Sequence, residues 1–204
     1  MARFKMHPFI STMANMLIIF GLVTYATKGV SFGAIDPAIP NIFIPKAGRF
    51  PMIILWAIIA VVVVWFIWNK TTFGKNLYAV GGNPEAATVS GISVFKVTMG
   101  AFIMAGILYG FGSWLECLRM VGSGSAAYGQ GWDMDAIAAC VVGGVSFTGG
   151  IGKISGVVTG VLIFTSLTYS LTILGIDTNL QFIFEGIIIL AAVTLDCLKY
   201  VQKK

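Results

Sequence analysis

Residues 52–68 read MIILWAIIAVVVVWFIW, without a charge or a helix breaker. At about 1.5 Å of rise per residue a helix of this length reaches roughly 26 Å. That is close to the hydrocarbon core of a bilayer. Trp56, Trp65 and Trp68 suit interfacial anchoring. The rest of the chain shares this character. It is 57% hydrophobic and only 10% charged over 204 residues, with mean hydropathy +0.91. Soluble domains carry about 25% charge. No water-soluble interior of this size hides so much apolar surface, so lipid is part of the solvent.

Outward from that stretch, 97–115 is uncharged between Lys96 and Glu116, and 154–174 is a third span. A fourth, 180–195, is interrupted by Glu185. A fifth, 8–26, is softened by Ser11, Thr12 and Asn15. Residues 135–152, DAIAACVVGGVSFTGGIG, are apolar but broken by glycine pairs. Each glycine costs about 1 kcal/mol inside a helix. Irregular backbone survives at membrane depth only when buried in protein or beside a water-filled cavity. This segment therefore reads as a discontinuous crossing or a re-entrant loop. The expected fold is an all-α membrane protein, a polytopic helix bundle with about six crossings, one of them discontinuous and Gly-rich.

The net charge is +5. The Lys and Arg residues are scattered, with no basic stripe interleaved with aromatics, so nucleic acid is not an expected partner and membrane lipid is. With Lys70, Lys75 and Lys96 placed inside, Arg3, Lys5, Lys153, Lys199, Lys203 and Lys204 fall on the same side. Lys28, Lys46, Arg49 and Arg119 fall outside. That bias follows the positive-inside rule and puts the loop 70–96 and the C-terminus in the cytoplasm. Glu116, Asp133, Asp135 and Asp177 fall outside, as solvated charges or as contacts for an external protein. Cys117, Cys140 and Cys197 form no CxxC pair, and His7 is the only histidine, so no metal site or disulfide framework is expected. The residues before Lys153 lack the Walker glycine, and Ile154 follows it. No catalytic residues and no cofactor are expected. Gly106 with Gly110, and Gly152 with Gly156 and Gly160, have the small-xxx-small spacing that lets helix backbones approach in lipid.

The inner loop contains AVGGNPEAATVSGISVFK, residues 79–96. Asn83 is a favoured N-cap and Pro84 suits the first helical position. Glu85 puts negative charge at the positive end of the dipole. Ala86, Ala87, Thr88, Val89 and Ser90 continue the helix, and Gly91 is a C-terminal stop. Two turns do not stand alone in water. The helix either docks on a soluble partner, presenting Ala87 and Val89, or lies on the membrane surface.

Residues 71–94, TTFGKNLYAVGGNPEAATVSGISV, resemble the inner loop of sugar permeases from bacterial ABC importers, the ribose, xylose, arabinose and galactose family. Thr72, Gly74, Lys75, Tyr78, Ala79, Gly81, Gly82, Asn83, Ala86, Ala87, Gly91 and Ile92 carry the resemblance. A second family segment lies at 135–152, and AVTLDCLKY resembles the family's C-terminus. CVVGGVSFTGG and GVVTGVLIFT are most similar to galactose/methyl-galactoside members. The resemblance implies that 83–91 is the ATPase-coupling helix, with Gly82, Asn83, Pro84, Glu85, Ala86, Ala87 and Gly91 as its site residues. It also implies an ABC ATPase subunit, a periplasmic sugar-binding protein, a second permease subunit in a homodimer, and a bacterial inner-membrane location. The chain itself is then not an enzyme. The family's usual chain has further N-terminal spans, so residues 1–204 are expected to be the C-terminal portion of a single permease domain. Asn15, Ser146, Thr148 and Asn179 are candidate substrate-path groups, or equally interhelical hydrogen-bonding groups worth about 0.6 to 2 kcal/mol. Family members often carry lysine at the position of Glu185. An intramembrane carboxylate also allows an ion-coupled secondary transporter, and a non-transporting membrane assembly protein is the third reading.

Overall fold

The structure is a computed structural model that describes residues 8–31, 33, 36, 38–47, 50–146 and 148–201, with the side chains of 46–50, 178, 179, 192, 193 and 195–201 left out. The described residues form helices apart from one minimal strand pair. In chain order they are α1 (Pro8–Thr27), α2 (Ala38–Phe43), β1 (Lys46–Ala47), β2 (Phe50–Pro51), α3 (Ile53–Lys70), α4 (Thr72–Gly82), α5 (Pro84–Val89), α6 (Val94–Arg119), α7 (Trp132–Val142), α8 (Ile154–Ile173) and α9 (Thr178–Val201).

Four of these, α1, α3, α6 and α8, are long and apolar enough to cross a membrane. They bury almost none of their surface within the chain. Ile10, Leu17, Leu22, Val62, Ile103, Ile107 and Leu162 all stand more than half exposed. Such surface is at home against lipid or other apolar helices, not water. Residues 180–191 of α9 are a shorter apolar helix stretch.

The chain divides into two compact units. The first comprises Met1–Val62 and Ser93–Gly129. Its ordering contact is aromatic. Trp56 donates its indole N–H to the Phe43 carbonyl at 3.0 Å. Its ring meets Phe111 and Trp114 edge-on, with centroids 6.0 and 6.1 Å away. Phe43 meets Trp114 at 5.2 Å. These edge-to-face pairs fix the short α2 against α6. β1 and β2 pair antiparallel, Lys46 with Pro51 and Ala47 with Phe50. Gly106 and Gly110 of α6 face open space: a Cβ on either meets nothing within 4 Å.

The second unit comprises Val63–Ile92 and Gln130–Lys204. Its core is Ala138 and Ala139 of α7 with Phe164 of α8, covered by Ile188 and Ile189 of α9. α7 and α8 run antiparallel in backbone contact. A Cβ on Gly160 would overlap the Ala139 carbonyl oxygen and stand 2.7 Å from the Gly143 nitrogen. Gly156 and Gly143 meet in the same way, each against the other's carbonyl. Gly156 and Gly160 thus serve packing on the end of α7, Gly152 faces Val145 in the following loop, and the Gly106 and Gly110 pair meets nothing among the described residues.

The Gly-rich stretch differs in detail from the sequence expectation. The helix starts at Trp132 and stops at Val142, eleven residues or about 16 Å. Residues 144–146 and 148–153 then leave helical geometry, with positive φ at Gly144, Gly149 and Gly150. The loop 70–96 also holds an element the sequence reading left as loop, the eleven-residue α4.

Candidate functional site

The chain leaves α3 through Thr71, whose hydroxyl donates to the Ile67 carbonyl at 2.6 Å and accepts from the Gly74 N–H at 3.3 Å. That second bond caps the N-terminus of α4. Asn83 then does two jobs. Its backbone N–H closes α4 on the Ala79 carbonyl at 3.1 Å. Its side-chain oxygen accepts from Glu85 and Ala86 N–H, each at 3.0 Å, and so opens α5. Pro84 occupies the first helical position, where its missing N–H costs nothing. At the other end Gly91 has φ +82. The Gly91 N–H bonds the Thr88 carbonyl and the Ile92 N–H bonds the Ala87 carbonyl, both at 3.0 Å. This double closure is a Schellman stop, and it needs the left-handed residue that glycine supplies.

α5 packs on α4. Its one buried residue is Ala87, 4% exposed. Val89 is 90% exposed. The sequence reading offered both outward. The helix instead turns Ala87 inward and leaves Val89, with Glu85, Ala86, Thr88 and Ser90, on the open face. Gly82 and Asn83 are also exposed.

The far end of α4 meets the Gly-rich loop backbone to backbone. A Cβ on Gly81 would lie 2.7 Å from the Gly150 nitrogen. One on Gly149 would lie 2.7 Å from the Gly81 carbonyl oxygen, and one on Gly150 2.6 Å from the Gly82 Cα. The Tyr78 hydroxyl, partly buried, donates to the Gly152 carbonyl at 2.8 Å. Beside this seam lies an open cavity of about 390 Å³, lined by Tyr78, Gly144, Ile151, Lys153 and Ser155 among others.

Ser146 and Thr148 come together in the same loop. Ser146 is buried, its hydroxyl sits 2.9 Å from the Thr148 hydroxyl, and it accepts from the Thr148 N–H at 3.3 Å. The Ser146 N–H bonds the Ile151 carbonyl at 2.9 Å. These bonds close the loop on itself. Asn15 belongs to the first unit, exposed on α1. Asn179 lies in the first turn of α9, with its side chain outside the described residues. Glu185 is half-buried on α9. Among the described residues no three His, Cys, Asp or Glu side chains gather into a metal site. The seam offers no nucleophile paired with a base. Close backbone contacts and the Tyr78–Gly152 hydrogen bond join α4 to the loop between α7 and α8.

The family model described as branched-chain amino acid transport system / permease component matches residues 1–193. The chain belongs to this permease family. Among curated relatives, the galactose/methyl galactoside import permease protein MglC of Treponema pallidum (strain Nichols) is 56% identical over 215 residues, covering 100% of this chain and 40% of the relative. MglC of Escherichia coli (strain K12) is 45% identical over 210 residues, covering 100% of this chain and 62% of the relative. The ribose import permease protein RbsC of Bacillus subtilis (strain 168) is 36% identical, covering 94% of this chain and 60% of the relative. The chain thus spans between about two fifths and three fifths of the length of these relatives. No solved structure matches.

Sequence reasoning missed the seam. Tyr78 and Gly81 entered only as signature positions, and Gly149 and Gly150 only as helix breakers. The usable signal was that two glycine pairs, 81–82 and 149–150, recur in a protein where glycine marks close backbone approach.

Proposed function

We propose that the chain is the C-terminal portion of a single permease domain in an ATP-driven monosaccharide importer, with galactose or methyl galactoside as substrate. The substrate follows that of its MglC relatives. α5 is the coupling helix, with Gly82, Asn83, Pro84, Glu85, Ala86, Ala87 and Gly91 as its site residues. Its outward face docks on a separate ABC ATPase subunit. The importer also holds a periplasmic sugar-binding protein and a second permease subunit, in the bacterial inner membrane. The loop 70–96 and the C-terminus are cytoplasmic, as the distribution of lysine and arginine supports. Six crossings follow if α7 with its irregular continuation counts as one and α9 as another. Asn15, Ser146, Thr148 and Asn179 are the polar groups for the sugar path, Ser146 and Thr148 also closing their own loop.

The observation that carries the reading is α5 itself. It is six residues long, capped at both ends, and buries a single side chain, Ala87. Its bare Val89 is 90% exposed on a loop carrying Lys70, Lys75 and Lys96. A helix too short to persist alone is kept rigid with an apolar residue outward, as a docking surface requires.

The test is co-purification and uptake in cells expressing the full-length permease with its ATPase and binding protein. Val89→Asp loses the ATPase subunit on purification and loses D-galactose uptake, while membrane levels hold. Uptake by the wild type stops on ATP depletion and survives an uncoupler. Uptake abolished by the uncoupler with ATP intact would instead favour an ion-coupled carrier.

A further inference from the structure

The contact between α4 and the Gly-rich loop has a role beyond holding the fold. Within its unit α5 packs on α4. The end of α4 nearest α5, Gly81 and Gly82, lies against Gly149 and Gly150 with no side chain between. Those residues sit in the loop 143–153, which joins α7 to α8. α7 and α8 are in turn locked by Gly143 on Gly156 and Gly160 on Ala139, over the core of Ala138, Phe164, Ile188 and Ile189. From α4 to the α7–α8 pair the route therefore crosses backbone contacts. Side chains absorb displacement by changing rotamer; main-chain contacts of this kind have no such freedom. Coupling between sites travels through contiguous packed elements of this sort. One directional bond closes the contact, from the Tyr78 hydroxyl to the Gly152 carbonyl.

We propose that Gly81, Gly149 and Gly150, with Tyr78, form the joint through which displacement of α5 reaches the α7–α8 pair. Tyr78 is a positioning residue that keeps the loop seated on α4. The proposal rests on the reading of α5 as the ATPase-docking helix. It assigns a function to the Gly-rich loop and to Tyr78.

The experiment uses the complete importer, full-length permease with ATPase and binding protein, reconstituted in proteoliposomes. It reads ATP hydrolysed and D-galactose taken up, and their ratio. Tyr78→Phe and Gly81→Ala retain the ATPase on purification and hydrolyse ATP within about twofold of wild type. Sugar moved per ATP falls at least fivefold in both. Ala79→Ser, on the exposed side of α4, keeps the wild-type ratio. A merely structural role for Tyr78 would lower hydrolysis and uptake together and leave the ratio alone. An unchanged ratio in Tyr78→Phe overturns the joint, and so does an equal fall in Ala79→Ser. Tyr78→Phe decides the matter by itself if Gly81→Ala does not assemble. Val89→Asp runs alongside. If it keeps the ATPase, the docking reading and the joint fall together. If it loses the ATPase while Tyr78→Phe keeps the wild-type ratio, the joint alone falls.

Discussion

Asn83→Ala isolates the cap of α5. The Asn83 side-chain oxygen takes two backbone donors, Glu85 and Ala86, each at 3.0 Å. Alanine returns both to water. Losing an N-cap of this kind costs about 1 kcal/mol, within roughly 0.5–2. With RT near 0.59 kcal/mol, the opening constant of α5 rises about fivefold, within a range of about two to thirtyfold. The change is local. The bond that closes α4, Asn83 N–H to Ala79, is main chain and survives the substitution. Hydrogen–deuterium exchange by mass spectrometry in detergent reads this directly. Amides bonded within α5 and its stop, those of Ala87, Ser90, Gly91 and Ile92, exchange about fivefold faster, while amides within α4 do not change. Asn83→Asp keeps the acceptor and adds favourable charge at the N-terminus, so its exchange stays within twofold of wild type. Unchanged exchange in the alanine variant would refute the cap as what holds α5. An equal acceleration in α4 would refute its local action.

Further expectations follow from the same geometry. Gly160→Leu drives a side chain into the Ala139 carbonyl and the Gly143 backbone. Overpacking of this kind costs about 1–3 kcal/mol or more, so the melting temperature in detergent drops by several degrees while Gly106→Ala, with open space around it, leaves it in place; equal melting temperatures would contradict the packing. Tyr128 donates to the Glu116 carboxylate, and that bond raises its phenol above the ordinary value, with desolvation and the Glu116 charge adding to it. Because the folded pKa is the raised one, the protonated phenol's contribution is full below about pH 10 and lost as pH climbs through the folded value. The stability difference between wild type and Tyr128→Phe therefore shrinks above about pH 10, and a difference that grows there would reverse the assignment. Val89→Asp should leave the melting temperature of the permease unchanged, since the residue is 90% exposed; a large drop would mean that α5 is buried in its own chain.

Much of this was legible because lipid simplifies the code. A run such as 52–68 has one stable outcome, and α3 occupies nearly the residues that hydropathy marks. α1, α6 and α8 fall on the other long runs within a few residues. The caps of α5 were legible too, because Asn83, Pro84 and Gly91 each fit one backbone role. α4 was not. Its residues mix Phe73, Leu77, Tyr78 and Val80 with polar and glycine positions, and what holds it, Tyr78 on Gly152 and Gly81 on Gly150, lies about seventy residues away in sequence. Contacts at that separation leave no periodic mark. Ala87 and Val89 show the same limit at shorter range. Both are small, apolar and two positions apart, and only the placement of α5 on α4 decides which one is hidden. Ser146 and Thr148 were chosen for their hydroxyls, and those hydroxyls turn out to meet each other.

Asn83 ends one helix and begins the next with no residue to spare. From Gly81, pinned to the loop, to Val89, standing clear, every position is committed either to helix or to that single extended residue at φ −156, ψ 102. Each helical residue advances the winding by about 100°. One codon gained or lost within α5 would swing Val89 toward the side now filled by Ala87 and carry a different residue to the face it leaves. A substitution in this interval disturbs one position, whereas a change of length turns every outward residue at once.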